Sequence, residues 1–474
     1  MRTTSKTSQR MWPIWLSVAV VLAVWMASKW YYSDWFSDPF KYPAKAASLT
    51  ATTLMCWAVV MSTRLRPLED FFGGLDKVYQ VHKRIGKWAF YIIIVHPLCL
   101  GADRLPDIAA FFGDMWFVFP HGDDYLIGQN FGVGAFLAFA LLAVLTLWAK
   151  PAYHVWKRTH EWFGAVMALV LVHVLFVSSD VTNYPALGAL VYGALAVCLA
   201  GFFYIRFLYR FLGPHSEYEV EHMDVIEDVI ELNLSPLGGK LDFKPSQFTY
   251  LVFDNPGISR ESHPYSIACG YNLAGRLKFG IKMAGDHTRS LVKLNKGDPV
   301  KVYGPYGHFS DAFLSADRDC VFIGGGIGIT PFMGMWHVAL HSEERLEPER
   351  VPEELRELHP EIIKTWKSPR VALFYLCRYG DEASFDDDIR REVMLSRFSD
   401  HAGLEERGHS YALHLSSEHG RLTAEQIDGQ VAGGVSDKYI FLCGPSPMVD
   451  SLIEQFTALG VPRRHIIVED FNLF

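Results

Sequence analysis

Four histidines lie in or beside stretches so apolar that an ionisable group needs a reason to be there. They are His82 and His96, then His160 and His173. Ionisable side chains within membrane-type segments are costly, and where they persist they usually bind or relay something. The separations are 96 − 82 = 14 and 173 − 160 = 13 residues. At about 1.5 Å of rise per residue, each pair spans about 20 Å along a helix axis. Two helices so equipped offer two facing histidine pairs, one per leaflet. Two axial imidazoles on one haem iron suit electron transfer rather than oxygen binding at the metal. The plainer reading has each histidine hydrogen-bonding a neighbouring helix. That reading is preferred for one histidine, but four in two pairs at matched depth favour ligation. His154 is the alternative ligand beside His160, and His121, in an outer loop, is expected to face solvent.

The angles agree only in part. Fourteen residues fall about 40° short of whole turns, so His82 and His96 share a helix face. Thirteen fall about 140° short, so a straight helix does not align His160 with His173. A tilt, a π-bulge or an offset between the two ligated groups is required.

The elements that hold these histidines follow from hydropathy. The chain has 474 residues, half of them apolar and 14% aromatic, and its long apolar runs fall mostly before position 212. A membrane span takes about 20 such residues. Candidates are 11–30, 45–63, 86–103, 131–149, 160–179 and 185–207. The first follows Arg2, Lys6 and Arg10 but has no small-residue cleavage site after it, so it reads as an uncleaved span. Arg64, Arg66, Lys77, Lys83, Arg84 and Lys87 lie between spans two and three, and Lys150, Lys157 and Arg158 between four and five. Arg206 and Arg210 follow span six, whereas Asp34, Asp38, Asp107, Asp114, Asp123, Asp124 and Asp180 fall in the opposite loops. The positive-inside bias puts both termini in the cytoplasm of a multi-pass plasma (inner) membrane protein. His82 and His160 then lie near the cytoplasmic side, His96 and His173 near the outer side. A net charge of −8 without a basic patch argues against nucleic-acid binding, and seven cysteines without a CxxC signal neither zinc nor a disulfide framework.

From about 213 the pattern changes to short alternating strands, such as 218–223 and 229–234, that suit a small antiparallel barrel. His263-Pro264-Tyr265-Ser266-Ile267 is one strand. Alternation along it lays Tyr265 along an isoalloxazine ring, lets Ser266 bond its reactive nitrogen edge and places His263 near a pyrophosphate. In 280–291 a strand ends, a turn follows, and Thr288 opens a helix whose N–H groups suit phosphate, with Arg289 adding charge.

Then Asp319-Cys320-Val321-Phe322-Ile323 runs into Gly324-Gly325-Gly326-Ile327-Gly328-Ile329-Thr330-Pro331. This is a strand, a glycine loop that lets backbone approach a pyrophosphate, and a helix start. Thr330-Pro331 replaces the last glycine of the usual dinucleotide fingerprint. Further strands at 371–378, 411–416 and 438–445, alternating with helices such as 448–459, indicate a parallel α/β sheet with ligands at its carboxyl edge. Cys443 falls there, with a plain core cysteine as the alternative. The stretch 341–368, rich in Glu, Arg and Pro, reads as a solvated insertion.

Assembled in this order, the histidine pairs, the His-Pro-Tyr-Ser strand, the 281–291 segment, the Gly324–Pro331 loop and Cys443-Gly444-Pro445 resemble the NADPH oxidase and ferric reductase family in a compact prokaryotic form. The resemblance implies a six-helix transmembrane haem bundle (1–212), then a ferredoxin-reductase-like FAD β-barrel (213–314) and an α/β NAD(P)H-binding domain (315–474). It implies two b-type haems, the inner on His82 and His160 and the outer on His96 and His173. It implies FAD at His263, Pro264, Tyr265, Ser266, Lys282 and Thr288, and NADPH or NADH at Gly324, Gly326, Thr330, Pro331, Arg378, Arg421 and Cys443. A terminal aromatic in this family covers the flavin where nicotinamide stacks; Phe471 matches, with Phe474 as the alternative. The implied activity is an NAD(P)H oxidase passing electrons across the lipid bilayer to O2 to give superoxide. The alternatives are a ferric-chelate reductase with the same electron path and a membrane-anchored flavin reductase without haem. No calcium-binding loop is seen before the spans, so neither a calcium switch nor an obligatory protein activator is expected.

Overall fold

The computed structural model describes residues 10–102, 104–113, 116–117, 123–149, 151, 153–177, 179–269, 274–315, 317–341, 368–400 and 408–469. The described chain forms two compact units, Met1–Gly213 and Pro214–Phe474.

The first unit contains six helices long and apolar enough to cross a bilayer among the described residues: α1 (Trp12–Tyr32), α2 (Lys41–Met61), α3 (Leu75–Ala102), α4 (Asp124–Ala149), α5 (Val155–Phe176) and α6 (Pro185–Leu212). All six expected spans are present, but several begin earlier than hydropathy suggests. α3 starts at Leu75 rather than near 86, because the polar stretch from Asp76 to Lys87 continues the same helix. At about 1.5 Å per residue, its 28 residues reach about 42 Å, beyond the roughly 30 Å hydrocarbon layer. His82 therefore sits in a regular turn of the helix that also holds His96. Proline opens α1 and α6 at their first turns, where its missing N–H is not needed. Pro97 is inside α3, a position that membrane helices tolerate when neighbours re-satisfy the freed carbonyl.

Lys29, near the end of α1, is fully buried. Its ammonium lies 3.1 Å from Asp180 and 3.4 Å from Asp34, and 3.6 Å above the Phe36 ring. Trp25 donates its indole N–H to Asp180 at 2.7 Å. Asp34 and Asp180, which hydropathy alone places as loop charges, are thus partners of a buried cation.

The second unit opens with an antiparallel sheet of β1 (His215–Ile226), β2 (Val229–Pro236), β3 (Phe248–Phe253), β4 (His263–Ser266), β5 (Leu277–Lys282) and β6 (Pro299–Tyr306), in the order β4-β3-β6-β1-β2-β5. A single bridge between Ile267 and Phe279 draws the two edges together, curling the sheet into a barrel. Its interior is filled by alternate residues, among them Tyr218, Val220, Ile230, Leu232, Leu234 and Leu251.

Next comes a five-stranded parallel sheet: β7 (Cys320–Gly325), β8 (Val371–Cys377), β9 (Ser410–Leu415), β10 (Tyr439–Cys443) and β11 (Ile466–Glu469), in the order β11-β10-β7-β8-β9. Hydrophobic clusters cover both faces, around Phe322, Trp336 and Phe441 on one and Ile323, Ile440 and Phe456 on the other. That double burial explains why these strands read as continuous apolar runs. β11 is short and was not anticipated from its sequence. The stretch 342–367 lies outside the described residues, but His341 is the last residue of the helix Thr330–His341 rather than the start of the expected insertion.

Candidate functional site

In the first unit the histidines are held by backbone carbonyls. His82 Nδ1 donates to the Ala58 carbonyl at 2.8 Å, and His96 Nδ1 to the Ala44 carbonyl at 2.9 Å. Both acceptors belong to α2, and 58 − 44 = 14 is the separation of the two histidines themselves. One helix thus holds both imidazoles of its neighbour in the same tautomer, with Nδ1 protonated and Nε2 keeping its lone pair. His173 repeats the arrangement on the other side, its Nδ1 donating to the Gly128 carbonyl of α4 at 2.8 Å. The His173 ring lies so close to α4 that a Cβ on Gly132 would be 2.5 Å from Nδ1.

His160 completes the set differently. The α-helix ends at His160, residues 161–162 form a turn, and helix resumes at Phe163. The Trp162 N–H reaches back only three residues, to Thr159. Such a step advances about 120° per residue instead of 100°, and the break frees His160 from the register of His173. The helix is thus interrupted by a turn between the two histidines, and the straight-helix angle does not apply to them. The His160 ring faces that of His82 with centroids 5.9 Å apart.

These residues fit a bis-histidine metal centre. An ion between two imidazoles at about 2 Å from each nitrogen sets the ring centres about 6 Å apart. His160 Nδ1 is buried without a hydrogen-bond partner, an arrangement that costs free energy unless something else fills the site. The histidine-bearing helices pack chiefly on other partners, α3 on α2 and the 163–176 part of α5 on α4. His173 and Lys45 are both within electrostatic reach of His96, and Lys45 is within reach of His173 as well. Lys45 was missed as a site residue; a lysine at the start of an apolar span was the available signal. The side chain of His154 and all of His121 lie outside the described residues.

In the second unit the two flavin-type segments come together. The His263 ring stacks on that of His287, centroids 3.9 Å apart and 24° from parallel. His287 belongs to a one-turn helix, α7 (Asp286–Ser290). Thr288 does not open this helix, as expected, but sits in its first turn, where its hydroxyl accepts from the Gly285 N–H at 3.0 Å. The helix starts earlier because Gly285 serves as its cap. On β4, Tyr265 pairs with Thr249 and Ser266 with Phe248 of β3, and Ser266 is buried. Lys282 ends β5 and pairs with Asp228 at 3.1 Å, while Arg289 is exposed.

The glycine loop lies at the carboxyl edge of the parallel sheet. Gly324 and Gly325 end β7, Gly326–Ile329 forms a 3-10 turn, and α8 (Thr330–His341) follows with Pro331 in its first turn. A Cβ on Gly328 would be 2.6 Å from the Cys443 carbonyl oxygen, so the loop lies directly on the end of β10. Cys443 is fully buried. Arg378 and Arg421 follow adjacent strands, β8 and β9, and both are exposed. Burial pushes the Cys377 thiol up to about 11, so it stays neutral beside Arg378. The loop also meets the barrel: a Cβ on Gly280 of β5 would be 2.9 Å from Thr330. Lys278 of β5 bridges Glu231 and Asp388. Burial lowers the Lys278 pKa, but the two carboxylates outweigh it and raise it on balance. Phe471 and Phe474 lie outside the described residues.

Residues 47–172 match the family described as "Ferric reductase like transmembrane component". The matched stretch contains His82, His96 and His160 and stops one residue before His173. Over that stretch the chain is similar to the ferric reductase-like transmembrane family. Among the described residues, six membrane-length helices precede a unit built of an antiparallel barrel and a parallel α/β sheet. The chain is 26% identical over 252 residues to the reductase component of propane 2-monooxygenase from Rhodococcus jostii (strain RHA1), covering 52% of this chain and 60% of that one. It is 23% identical over 288 residues to dual oxidase 1 from Caenorhabditis elegans, covering 54% of this chain and 18% of that one. The chain thus spans less than two thirds of the length of these relatives. A flavohemoglobin structure from Malassezia yamatoensis, with bound FAD and heme, aligns over 79% of this chain and 96% of its own at 15% identity and a TM-score of 0.44.

Proposed function

We propose that this protein carries electrons from cytosolic NAD(P)H, through FAD and two bis-histidine haems, to an acceptor on the outer side of the membrane, O2 giving superoxide. The observation that supports this best is the matched register of α2 and α3, in which carbonyls 14 residues apart fix histidines 14 residues apart. A role confined to helix packing does not require both imidazoles to present the same nitrogen. When bound, FAD converts a two-electron hydride donor into single electrons, and haem iron carries those one at a time.

The chain's own residues would divide the work as follows. His82 and His160 hold the inner haem, His96 and His173 the outer. The carbonyls of Ala58, Ala44 and Gly128 fix ring orientation and make Nε2 more basic. Lys45 supplies positive charge beside the outer pair, where an anionic product or chelate is to be accommodated. His263, Pro264, Tyr265, Ser266, Lys282 and Thr288 hold the flavin. Gly324, Gly326, Thr330 and Pro331 admit the nicotinamide cofactor's pyrophosphate, with Cys443 at the hydride-transfer edge. Arg378 and Arg421 meet the 2′-phosphate if NADPH is preferred. Phe471, or Phe474, shields the flavin until nicotinamide displaces it. The positive loops support a cytoplasmic location for both termini, and 1–212, 213–314 and 315–474 serve as working domain boundaries.

The test is an anaerobic titration of the purified protein with NADPH and with NADH, following flavin and haem absorption, and then admission of air. Two haems per flavin, sequential bleaching of flavin and reduction of haem, and superoxide on aeration are expected. His96→Ala and His173→Ala should each lose one haem and stop acceptor reduction while flavin reduction continues. A protein with flavin absorption alone would reduce the assignment to an anchored flavin reductase. The family match over 47–172 favours ferric chelate as the second acceptor. Comparing superoxide yield with ferric-chelate reduction separates the two readings.

A further inference from the structure

Away from the glycine loop, at the opposite end of α8, two histidines one helical turn apart face a glutamate from the next helix. His337 and His341 belong to α8, and Glu392 to α9 (Asp386–Asp400). His337 Nδ1 and His341 Nε2 each lie 3.1 Å from the same carboxylate oxygen, Glu392 Oε2. The three donor atoms lie within 4.8 Å of one another, and all three residues are partly buried. The two rings are 4.6 Å apart at their centroids.

Two imidazoles bonding a carboxylate for its own sake have two oxygens to choose from and are less crowded on separate ones. Here both lie against one oxygen, which gathers all three donor atoms into one cluster. Ligand atoms around a tetrahedral zinc, at about 2.0–2.1 Å from the metal, stand about 3.3 Å apart. The two nitrogen-to-oxygen separations need to relax by only a few tenths of an ångström to admit an ion, and the two nitrogens lie within 4.8 Å of each other. The donor set is two nitrogens and one oxygen. Magnesium and calcium prefer oxygen alone, whereas imidazole with carboxylate suits zinc, nickel or copper.

We infer that His337, His341 and Glu392 form a mononuclear site for a divalent transition-metal ion of the zinc class, fastening α8 to α9. His341 is 11 residues from Thr330, about 16 Å along the helix axis, so the ion lies away from the hydride-transfer edge. Its effect is structural: binding the folded state alone raises stability with ion concentration.

The test uses the full-length, flavin-loaded protein in detergent. It is stripped with EDTA and equilibrated with micromolar zinc chloride, and its zinc is counted by mass spectrometry. The wild type should hold one zinc more per chain than Glu392→Gln or His337→Asn, with at least about tenfold weaker uptake in each variant. Zinc should raise the thermal midpoint of the wild type but of neither variant. Zinc-edge absorption should report two imidazole nitrogens. Each variant is first shown to keep wild-type flavin content and zinc-free midpoint, with His341→Gln replacing any that does not. Equal zinc uptake by wild type and variants, or no retained zinc, would overturn the proposal.

Discussion

At the scale of single residues, charge and tautomer decide what the membrane unit can do. Lys45 follows Ala44, whose carbonyl holds His96, and its charge reaches both outer histidines. Lys45→Met keeps much of the side chain's length and removes only the charge. Under the proposed function both haems should therefore remain, while the acceptor-reduction rate falls by about tenfold, the effect of roughly 1.4 kcal/mol of lost charge stabilisation. Haem content by spectroscopy and turnover in the same preparation check this; unchanged turnover would leave Lys45 a bystander. Outside the membrane, Asp311 shows how one carboxylate couples to pH. Burial alone would raise its pKa, but His308, 2.7 Å away, and Lys244 outweigh this and lower it below 3.8. The folded state therefore prefers the ionised form. Its contribution is complete above about 3.8 and is lost as pH falls through the lower folded value. Because the pair is half exposed, the contribution is expected to be below about 1 kcal/mol. Asp311→Asn should flatten that part of the acid-unfolding profile and leave stability at pH 7 lower by that amount, measured by denaturant titration across pH.

At the scale of elements, what was legible in the sequence depended on apolar patterning. The six spans and the doubly buried α/β strands were readable as continuous apolar runs, and the barrel strands by an alternation whose period is fixed by the backbone. The missed features break period or depend on tertiary neighbours. The start of α3 was invisible to hydropathy because its first turns are polar yet helical. The turn at 161–162 was anticipated only as an angular mismatch between His160 and His173. Thr288 was placed one role away from its own, because a glycine cap leaves no side-chain signal. The convergence of His337 and His341 on Glu392 needed a second helix, although their four-residue spacing was in plain view. The glycine loop allows a sharper test. Gly328 has no room for a Cβ, the nearest atom being backbone carbonyl of Cys443 at 2.6 Å. Gly326 has open space but φ of +54°, a conformation that costs another residue roughly 1–2 kcal/mol. Gly328→Ala should separate loop from β10 and lower the rate of flavin reduction by NADPH by more than about tenfold, the consequence of a misplaced reactant. Gly326→Ala should be milder in stability yet also impair cofactor approach. Stopped-flow flavin reduction, with flavin content as control, distinguishes them, and wild-type rates for Gly328→Ala would remove the loop from the cofactor site.

At the scale of the whole molecule, the proposed function makes the chemistry vectorial, because six apolar helices and the second unit share one chain. NAD(P)H is too polar to cross a bilayer, so under that proposal its oxidation is confined to the face on which the second unit is exposed. If acceptor reduction occurs at the outer histidine pair, each electron crosses most of the insulating layer unaccompanied. Moving one elementary charge across the full potential costs about 2.3 kcal/mol per 100 mV, so the reaction must respond to voltage. Sealed vesicles with the reductase unit outward should oxidise external NADPH while reducing cytochrome c trapped inside. Superoxide dismutase should suppress that reduction only when it is also trapped inside. A potential negative inside opposes electron entry and should slow turnover, while an ionophore that collapses it should restore the rate. In the anchored-reductase alternative, electrons never leave the outer face of such vesicles. Trapped cytochrome c would then stay oxidised, and neither the potential nor the ionophore would change NADPH consumption.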